Sequence, residues 1–300
     1  MPKLPWLGLA VCGLLLLAAC GGASANRPTP TPTPKADNGT ATVLFAASLE
    51  ALMTNDVGPA FQDTSGDTFQ GQGANSGTIA NGIASRTMTG DVFISAAAAA
   101  NAPLQGAANG NLVTWYVTFA STKLLIAYNP NSRFAKDFKS KPWYQVLQEP
   151  GLKVGRTDPT TDPKGKLTVA ALQAAQSAYN LPGNFAATVE SAAQVFPEAA
   201  LVGDLQSGQL DAGFFYSVEA SAASINTTAS LGQAEQTAPY TITLLNNASN
   251  KRAGTDFIAY LLGKDGVKQM KAVGLTILPY QVTGTREDIP KKIQSLLPKS

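Results

Sequence analysis

Two serines, Ser48 and Ser76, stand where the chain passes from small apolar residues into a helical pattern. Each would be an ordinary helix N-cap if its side-chain oxygen accepted an unpaired N–H of the first turn. The same position can hold an anion, because a helix N-terminus offers unpaired N–H donors and the positive end of a dipole. A serine there adds an O–H donor, and the hydroxyl can turn to a ligand while backbone donors do likewise.

The donors at such a site select the kind of anion it holds. Hydroxyls and amides carry no formal charge, yet they can hold a fully deprotonated oxyanion by several directed hydrogen bonds. A protonated phosphate would favour a carboxylate that accepts its O–H, and such a set of donors contains no carboxylate acceptor. The residue types therefore favour a dianion such as molybdate, tungstate or sulfate.

A serine hydrolase is the alternative from another functional class, and the composition argues against it. The chain has 300 residues and no histidine, which excludes Ser-His-Asp and Cys-His catalysis and His-ligated metal sites. Ser76 lies in "GANSG", which is not the Gly-x-Ser-x-Gly nucleophile motif. We therefore expect no enzymatic activity, no cofactor and no structural metal ion. A formal net charge of +2 gives no reason to expect nucleic acid as a partner.

The elements around the two serines alternate between strand and helix patterns. "ATVLFAAS" is a strand pattern before a helix over 49–61, and Ser76 opens a second helix after a short strand near "DTFQGQGA". "GDVFISAA" is a further strand. This alternation predicts an α/β fold with a parallel sheet. In such sheets ligands bind at the carboxyl ends of the strands, so two junctions of this kind can face one ligand.

Later segments continue the same pattern. The apolar stretch 114–130 is expected to form two strand segments joined through a crossover, and 212–216 to form a buried strand. A helix is expected in "KLTVAALQAAQSAYNL", stopped by Pro182 and Gly183. A helix pair is expected to end near Gly263 and Gly274.

The N-terminal segment has the features of an export signal. "LGLAVCGLLLLAAC" is apolar, follows Lys3, and ends in small residues before Cys20. This resembles the lipobox of bacterial lipoproteins, and the alternative is an ordinary signal peptide with a chance cysteine. We expect a signal peptide over 1–19, lipidation at Cys20, and a Pro/Thr-rich tether over 20–40. Cys12 would be removed with the signal. The body would then work at the extracytoplasmic face of the cell membrane, held by the lipid anchor.

Several motifs together resemble one family of transport proteins. "LFAASLEALMTNDVGPAFQ", "GANSGTIANGI" and "GDVFISAA" are similar in order and spacing to periplasmic molybdate-binding proteins. "TWYVTFASTKLLIAYNPNSRF", "GRTDPTTDPKG" and "LQSGQLDAGFFYSVEAS" look more like the tungstate/molybdate-binding branch. "FIAYLLGKDGVKQM" is similar to the closing helix of many solute receptors of ABC transporters. The resemblance runs from about Val43 to Leu275.

The resemblance implies a fold and a mode of action. It implies a two-lobed periplasmic-binding-protein-like α/β fold, each lobe a mostly parallel sheet flanked by helices. We expect one lobe from 41–120 plus 239–300 and the other from 121–238, hinged near 115–125 and 235–245. The lobes would close on molybdate or tungstate and deliver it, as a monomer, to an ABC permease and its ATPase. A receptor for sulfate, phosphate or another small anion is the alternative, because one fold hosts many ligands.

The resemblance also assigns ligand-binding roles. Ser48 and Ser76 match the two serines that donate to the oxyanion from the first lobe, and Tyr216 matches a donating tyrosine of the second. Val195 matches a position that contributes its backbone N–H, and a second backbone donor is expected near 163–165. Apart from the resemblance, Tyr216 would be a core aromatic at a strand end and Val195 an apolar residue at a helix start.

The chain departs from the tungstate/molybdate-binding branch at two carboxylates that approach the metal centre there. Asp162 matches one of them, and Phe215 stands where the other would be. A lone carboxylate beside a dianion would repel it. We therefore expect tetrahedral binding by hydrogen bonds, with Asp162 as a turn-forming residue. Lys164 could attract the anion, but we expect it to sit in solvent.

Overall fold

The computed structural model describes residues 39–299. The expected signal peptide, Cys20 and nearly all of the expected tether lie outside this range. The first strand begins at Thr40. Between residues 39 and 299, no helix combines the length and the hydrophobicity that crossing a membrane requires.

The described residues form one ten-stranded sheet. The strands are β1 (Thr40–Ala46), β2 (Thr68–Ala74), β3 (Val92–Ser95), β4 (Trp115–Tyr128), β5 (Val154–Arg156), β6 (Gln194–Val195), β7 (Ala212–Tyr216), β8 (Thr228–Ser230), β9 (Thr237–Leu244) and β10 (Thr276–Gly284). Along the sheet the order is β2-β1-β3-β9-β4-β7-β5-β6, with β8 and β10 each paired to β4.

Helices cover the sheet and connect its strands. The α-helices are α1 (Glu50–Leu52), α2 (Gly58–Ser65), α3 (Ser76–Ala84), α4 (Ala135–Ser140), α5 (Trp143–Val146), α6 (Pro163–Ala178), α7 (Phe185–Ala192), α8 (Glu198–Gln206), α9 (Ser217–Ala222), α10 (Lys251–Leu262), α11 (Lys264–Ala272) and α12 (Lys291–Gln294). A π-helical turn, Met53–Val57, joins α1 to α2. Short 3₁₀ turns are Ala47–Leu49, Ala98–Leu104, Ala107–Asn109, Gly232–Ala234 and Arg286–Asp288.

Parallel pairing lies in the two outer parts of the sheet and antiparallel pairing in its middle. β1 runs parallel to β2 and β3, and β5 runs parallel to β6 and β7. The central strands β3, β9, β4 and β7 pair antiparallel. The α/β fold class is therefore confirmed, with helices on a central multi-strand sheet. The division into lobes stays a prediction.

The stretch 114–130 forms one strand, so the prediction of two segments joined through a crossover was wrong. β4 is continuous over 14 residues, because nothing in "WYVTFASTKLLIAY" supplies a turn residue. Its first part pairs with β9 and β10, and its last part with β7 and β8. A register shift against β9 falls between Thr118 and Ala120. Thus β4 and β9 run through the regions expected to hinge.

Apolar side chains explain how the helices are held on the sheet. Phe61 of α2 meets Phe257 of α10 edge to face, with ring centroids 5.3 Å apart, a favourable aromatic geometry. Across the sheet, Ile79 and Ile83 of α3 are buried with Phe93 of β3. Burying each such side chain contributes on the order of 1.5–3 kcal/mol. The packing fixes the start of α3 and the end of β1 relative to the sheet.

The ends of the last two long helices agree with the expected positions. Gly263 follows α10 directly and is also the N-cap of α11. Gly274 lies just beyond α11 with φ of 83°, a left-handed conformation that glycine adopts readily. Helix α6 begins at Pro163, three residues before the start of the quoted helical pattern.

Candidate functional site

Ser48 and Ser76 lie near each other at one edge of the sheet because their strands are parallel neighbours. β1 and β2 end together, with Ala46 opposite Ala74, and each serine follows two residues later. Neither side chain caps its own helix, so the capping role considered for both is not seen. The geometry brings the two predicted donors to the carboxyl ends of adjacent strands.

Ser76 is fixed by the end of a third strand. Its Oγ accepts a hydrogen bond of 3.0 Å from the backbone N–H of Ala96, directly after β3. The side chain is 1% exposed. Because the oxygen is used as an acceptor, the O–H of Ser76 remains able to donate.

Ser48 contacts Tyr240, one of two buried tyrosines near the site. Its Oγ lies 2.8 Å from the hydroxyl of Tyr240 on β9. Burial raises the pKa of the Tyr216 hydroxyl, and the Tyr240 phenol raises it further. Both tyrosines are fully buried. Ser48 and Tyr216, predicted from distant segments of the sequence, are thus connected through Tyr240.

The Tyr216 hydroxyl has no hydrogen-bond partner among the described residues, although it is completely buried. Leaving a buried hydroxyl unpaired costs about 1–3 kcal/mol, so such groups need an explanation. Its backbone N–H, by contrast, donates to Glu219 Oε2 at 2.7 Å, which fixes the turn from β7 into α9. The Tyr216 hydroxyl is therefore a buried donor without a partner among the described residues, carried on a fixed backbone.

Lys164 is fully buried, so the expectation that it sits in solvent was wrong. Its Nζ lies 2.7 Å from Glu219 Oε1 and 3.3 Å from Glu198 Oε1, and 5.6 Å from the ring centroids of Phe215 and Tyr216. Burial alone lowers the pKa of this ammonium, but Glu219, Glu198 and Asp162 outweigh burial and raise it above its usual value. Lys164 therefore stays charged. A buried cation is retained here because carboxyl groups from two other helices lie beside it, with Glu219 at the shorter distance.

Asp162 is the N-cap of α6 and accepts a 2.8 Å hydrogen bond from the Lys164 backbone N–H through Oδ1. This is a local structural role, of the kind expected for it. Its Oδ2 and the Thr157 hydroxyl are buried without a partner of normal hydrogen-bond geometry. Burial raises the pKa of Asp162, and the charge of Lys164 opposes that rise.

Val195 lies in β6 rather than at a helix start, and its side chain is 52% exposed. It lines a cavity of about 530 Å³ together with Asn75, Thr161 and Glu198. A second cavity, of about 340 Å³, is lined by Ser48, Glu198 and Glu219 among others. Both cavities thus lie between the segments around the serines and the segments around 158–223. Phe215 points away from them, into a separate apolar cluster with Leu201 and Leu210.

The two predicted lobes touch beside Ser76. The N–H of Gly77 donates to the carbonyl oxygen of Thr161 at 3.1 Å. A Cβ at Gly77 would lie 2.4 Å from that oxygen, so the close approach requires glycine. Neighbouring Asn75 and Thr161 line the same 530 Å³ cavity.

Three residues of the site were not predicted from sequence: Tyr240, Glu198 and Glu219. Glu219 carried a usable signal, because an acidic residue three positions after the residue that precedes a helix is typical of a capping box. Tyr240 and Glu198 stand in unremarkable strand and helix patterns, and only the fold brings them to Ser48 and Lys164. Between residues 39 and 299, no group of three or more acidic or cysteine side chains has an arrangement suited to a metal ion.

Residues 41–276 match the family of bacterial extracellular solute-binding proteins. A similar relative is a putative ABC transporter molybdenum-binding protein of Haloferax volcanii, 29% identical over 70% of this chain and 62% of its own length. A molybdate/tungstate-binding protein of Thermococcus kodakarensis is 25% identical over 53% of this chain and 59% of its own. The chain thus spans about three fifths of the length of these two relatives.

Solved structures share the fold at low sequence identity. The periplasmic molybdate-binding protein of Azotobacter vinelandii matches with a TM-score of 0.65 and 15% identity, over 79% of this chain and 99% of its own. The sulfate-binding protein SubI of Mycobacterium tuberculosis matches with a TM-score of 0.59 and 15% identity, over 87% and 92% of the two chains. At such identity the likeness establishes the fold alone.

Proposed function

The chain belongs to the family of bacterial extracellular solute-binding proteins, and on that premise we propose that it captures a tetrahedral oxyanion, molybdate or tungstate, for an ABC importer. The named relatives support this choice of ligand. The proposed place of work is the extracytoplasmic face of the membrane, with Cys20 as lipid anchor and the protein as a monomer.

The proposed donors are the hydroxyls of Ser48, Ser76 and Tyr216 and backbone N–H groups near Val195 and 163–165. Lys164 supplies the positive charge that attracts the anion, acting from within its ion pairs rather than as a free side chain. Uncharged donors in a site closed to water act in a low local dielectric, where each hydrogen bond is stronger.

The observation that carries this proposal is the Tyr216 hydroxyl, fully buried with no partner among residues 39–299. It sits beside Tyr240, the phenol that is bonded to Ser48. A buried donor without a partner costs stability, and this cost is explained if the ligand supplies the missing acceptor. A tetrahedral oxyanion presents acceptors in several directions at once.

Capture is proposed to proceed by closure of two lobes about β4 and β9. The contact between Gly77 and Thr161 would belong to the closed form, since it joins segments of the two predicted lobes. Selection between molybdate and sulfate would come from the size of the enclosed space, because the charge and the acceptor pattern of the two anions are alike. Sulfate is the second candidate, because it carries the same charge and the same tetrahedral set of acceptors as molybdate, and a fold shared with a sulfate-binding protein can host it.

Calorimetric titration of the purified protein with molybdate, tungstate, sulfate and phosphate tests the proposal. Molybdate and tungstate should bind with measurable heat, and a ligand at a hundred times its Kd should stabilise the fold by about 2.7 kcal/mol. The melting temperature should rise accordingly. Neither heat nor a melting shift with molybdate and tungstate would contradict the assignment, and binding of sulfate alone would select the second candidate.

A further inference from the structure

The proposed site holds more negative charge than an anion receptor should tolerate. Three carboxyl side chains, those of Asp162, Glu198 and Glu219, act on the single ammonium of Lys164. All four side chains are buried. If every carboxyl were ionised, the cluster would carry two net negative charges in a low dielectric and would repel a dianion.

The three carboxyls differ in how well their oxygens are bonded. Glu219 binds Lys164 Nζ through Oε1 and the Tyr216 N–H through Oε2, both at 2.7 Å, which stabilises its ionised form. Asp162 accepts one backbone N–H. Among the described residues, the contact that Glu198 makes with a cation is the weaker one: its Oε1 lies 3.3 Å from Lys164 Nζ, outside good hydrogen-bond geometry, against 2.7 Å for Glu219. Glu198 is therefore the carboxyl with least to stabilise a negative charge.

Glu198 also lies at the boundary between the two cavities. It is the first residue of α8, is 4% exposed, and lines both the 530 Å³ and the 340 Å³ cavity. Ser48 lines the smaller of these cavities, and Asn75 and Val195 line the larger. A ligand that reaches Ser48 from either side would meet the Glu198 carboxyl.

We propose that Glu198 contacts the bound oxyanion as a neutral carboxylic acid and donates its O–H to a ligand oxygen. This rests on the proposed function. The ligand stays a dianion and the proton on Glu198 comes from solvent. Below the pKa of Glu198 in the free protein that proton is already bound, and above that pKa capture of one anion takes up about one proton. Glu198 would then be a specificity residue, because a donor rewards fully deprotonated oxyanions over anions that bring their own proton.

The surroundings of Glu198 agree with a proton on it. Burial raises the pKa of Glu198 well above its ordinary value; Lys164 lowers it, and Asp162 and Glu219 raise it. The phenols of Tyr216 and Tyr240, both with raised pKa values from burial, face the same cluster and stay neutral. The dipole of α8 favours a negative charge on Glu198, the first residue of that helix. The Lys164 ammonium, which could balance such a charge, lies closer to Glu219 than to Glu198.

Proton uptake is measured directly by titrating the full chain with molybdate in buffers of different ionisation enthalpy, at a series of pH values. Uptake by the wild-type protein should be near zero where Glu198 of the free protein is already protonated, and should approach about one proton per molybdate above the pKa of Glu198 in the free protein. Above that pKa, Kd should rise by up to tenfold per pH unit, because the bound state holds the extra proton.

Two variants locate the proton. Glu198→Gln keeps an N–H donor and should bind molybdate with near-zero proton uptake and a Kd that no longer follows pH. Asp204→Asn makes the same carboxyl-to-amide replacement on the same helix, away from both cavities, and should keep wild-type uptake. Glu198→Ala removes the donor and should weaken binding at least tenfold. Melting curves show whether each variant is folded.

Three results would overturn the inference. Molybdate binding to the wild type without proton uptake at any pH of the series would refute it and leave the proposed function intact. Wild-type uptake in Glu198→Gln would place the proton elsewhere. If none of molybdate, tungstate and sulfate binds the wild-type protein, the proposed function fails and this inference fails with it. Should Glu198→Gln not fold, the wild-type pH series alone decides.

Discussion

At the scale of single residues, the site is organised by groups that are either fully bonded or conspicuously unbonded. Glu219 and Asp162 each accept a hydrogen bond from a backbone N–H through a side-chain oxygen. The ammonium of Lys164 lies beside the carboxyl groups of two glutamates. The Tyr216 hydroxyl has no hydrogen-bond partner in the part of the chain that the structure describes. The bonded groups hold the geometry, and the unbonded hydroxyl is left for a ligand.

This distinction predicts the behaviour of Tyr216→Phe. Because the hydroxyl has no partner without ligand, its removal should leave the free energy of unfolding unchanged or slightly raised. Affinity for molybdate should fall by about 1.5–3 kcal/mol, the range for a hydrogen bond to a charged group. Thermal melting and calorimetry measure the two effects separately.

Tyr280→Phe is the matched control for that experiment. Its hydroxyl donates to the carbonyl oxygen of Leu262 at 2.6 Å, in a part of the fold that does not line the cavities. It should lose about 0.5–1.5 kcal/mol of stability and keep wild-type affinity. If Tyr216→Phe instead loses stability and binds normally, the hydroxyl is structural.

At the scale of elements, the site is made by strand ends and helix starts that different parts of the chain bring together. The ends of β1, β2 and β3 carry Ser48, Ser76 and Ala96, and the start of α6 carries Asp162 and Lys164. Helices α3 and α6 approach each other where Gly77 meets Thr161. That backbone contact holds the two predicted lobes in register.

Gly77→Ala should separate affinity from stability at this contact. A Cβ would lie 2.4 Å from the Thr161 carbonyl oxygen, and backbone cannot move aside as a flexible side chain can. The helix itself should gain up to about 1 kcal/mol from the better propensity of alanine. We therefore expect at least tenfold weaker molybdate binding with an unchanged or higher melting temperature.

Gly203→Ala on α8 is the control, since nothing lies within 4 Å of the added methyl group. It should raise the melting temperature and leave Kd unchanged. Equal affinities for Gly77→Ala and the wild type would show that the Gly77–Thr161 contact plays no part in closure.

At the scale of the whole molecule, much of the fold could be predicted because it depends on local pattern. The strand Ala212–Tyr216 and the helix from Ser76 follow from apolar runs and turn residues. The positions of Ser48 and Ser76 at one sheet edge follow from parallel pairing. The continuity of β4 was not predicted, because the apolar sequence of this strand does not show which strands it pairs with along its length.

The acid cluster could not be predicted for a related reason. Lys164 precedes the helical pattern that the sequence shows from Lys166, and is followed by Gly165 and Lys166, a context typical of solvent exposure. Its burial depends on Glu198 and Glu219, which lie in other helices, 34 to 55 positions away in the sequence. Long-range packing of α6, α8 and α9 decides the environment, and no local pattern records it.

The most direct test of the whole account is a crystal structure of the tungstate complex measured at the tungsten absorption edge. The account predicts one anomalous peak, with the hydroxyls of Ser48, Ser76 and Tyr216 each within hydrogen-bond distance, about 2.5–3.2 Å, of a ligand oxygen. A peak elsewhere, or three hydroxyls that point to separate places around an empty cleft, would contradict it.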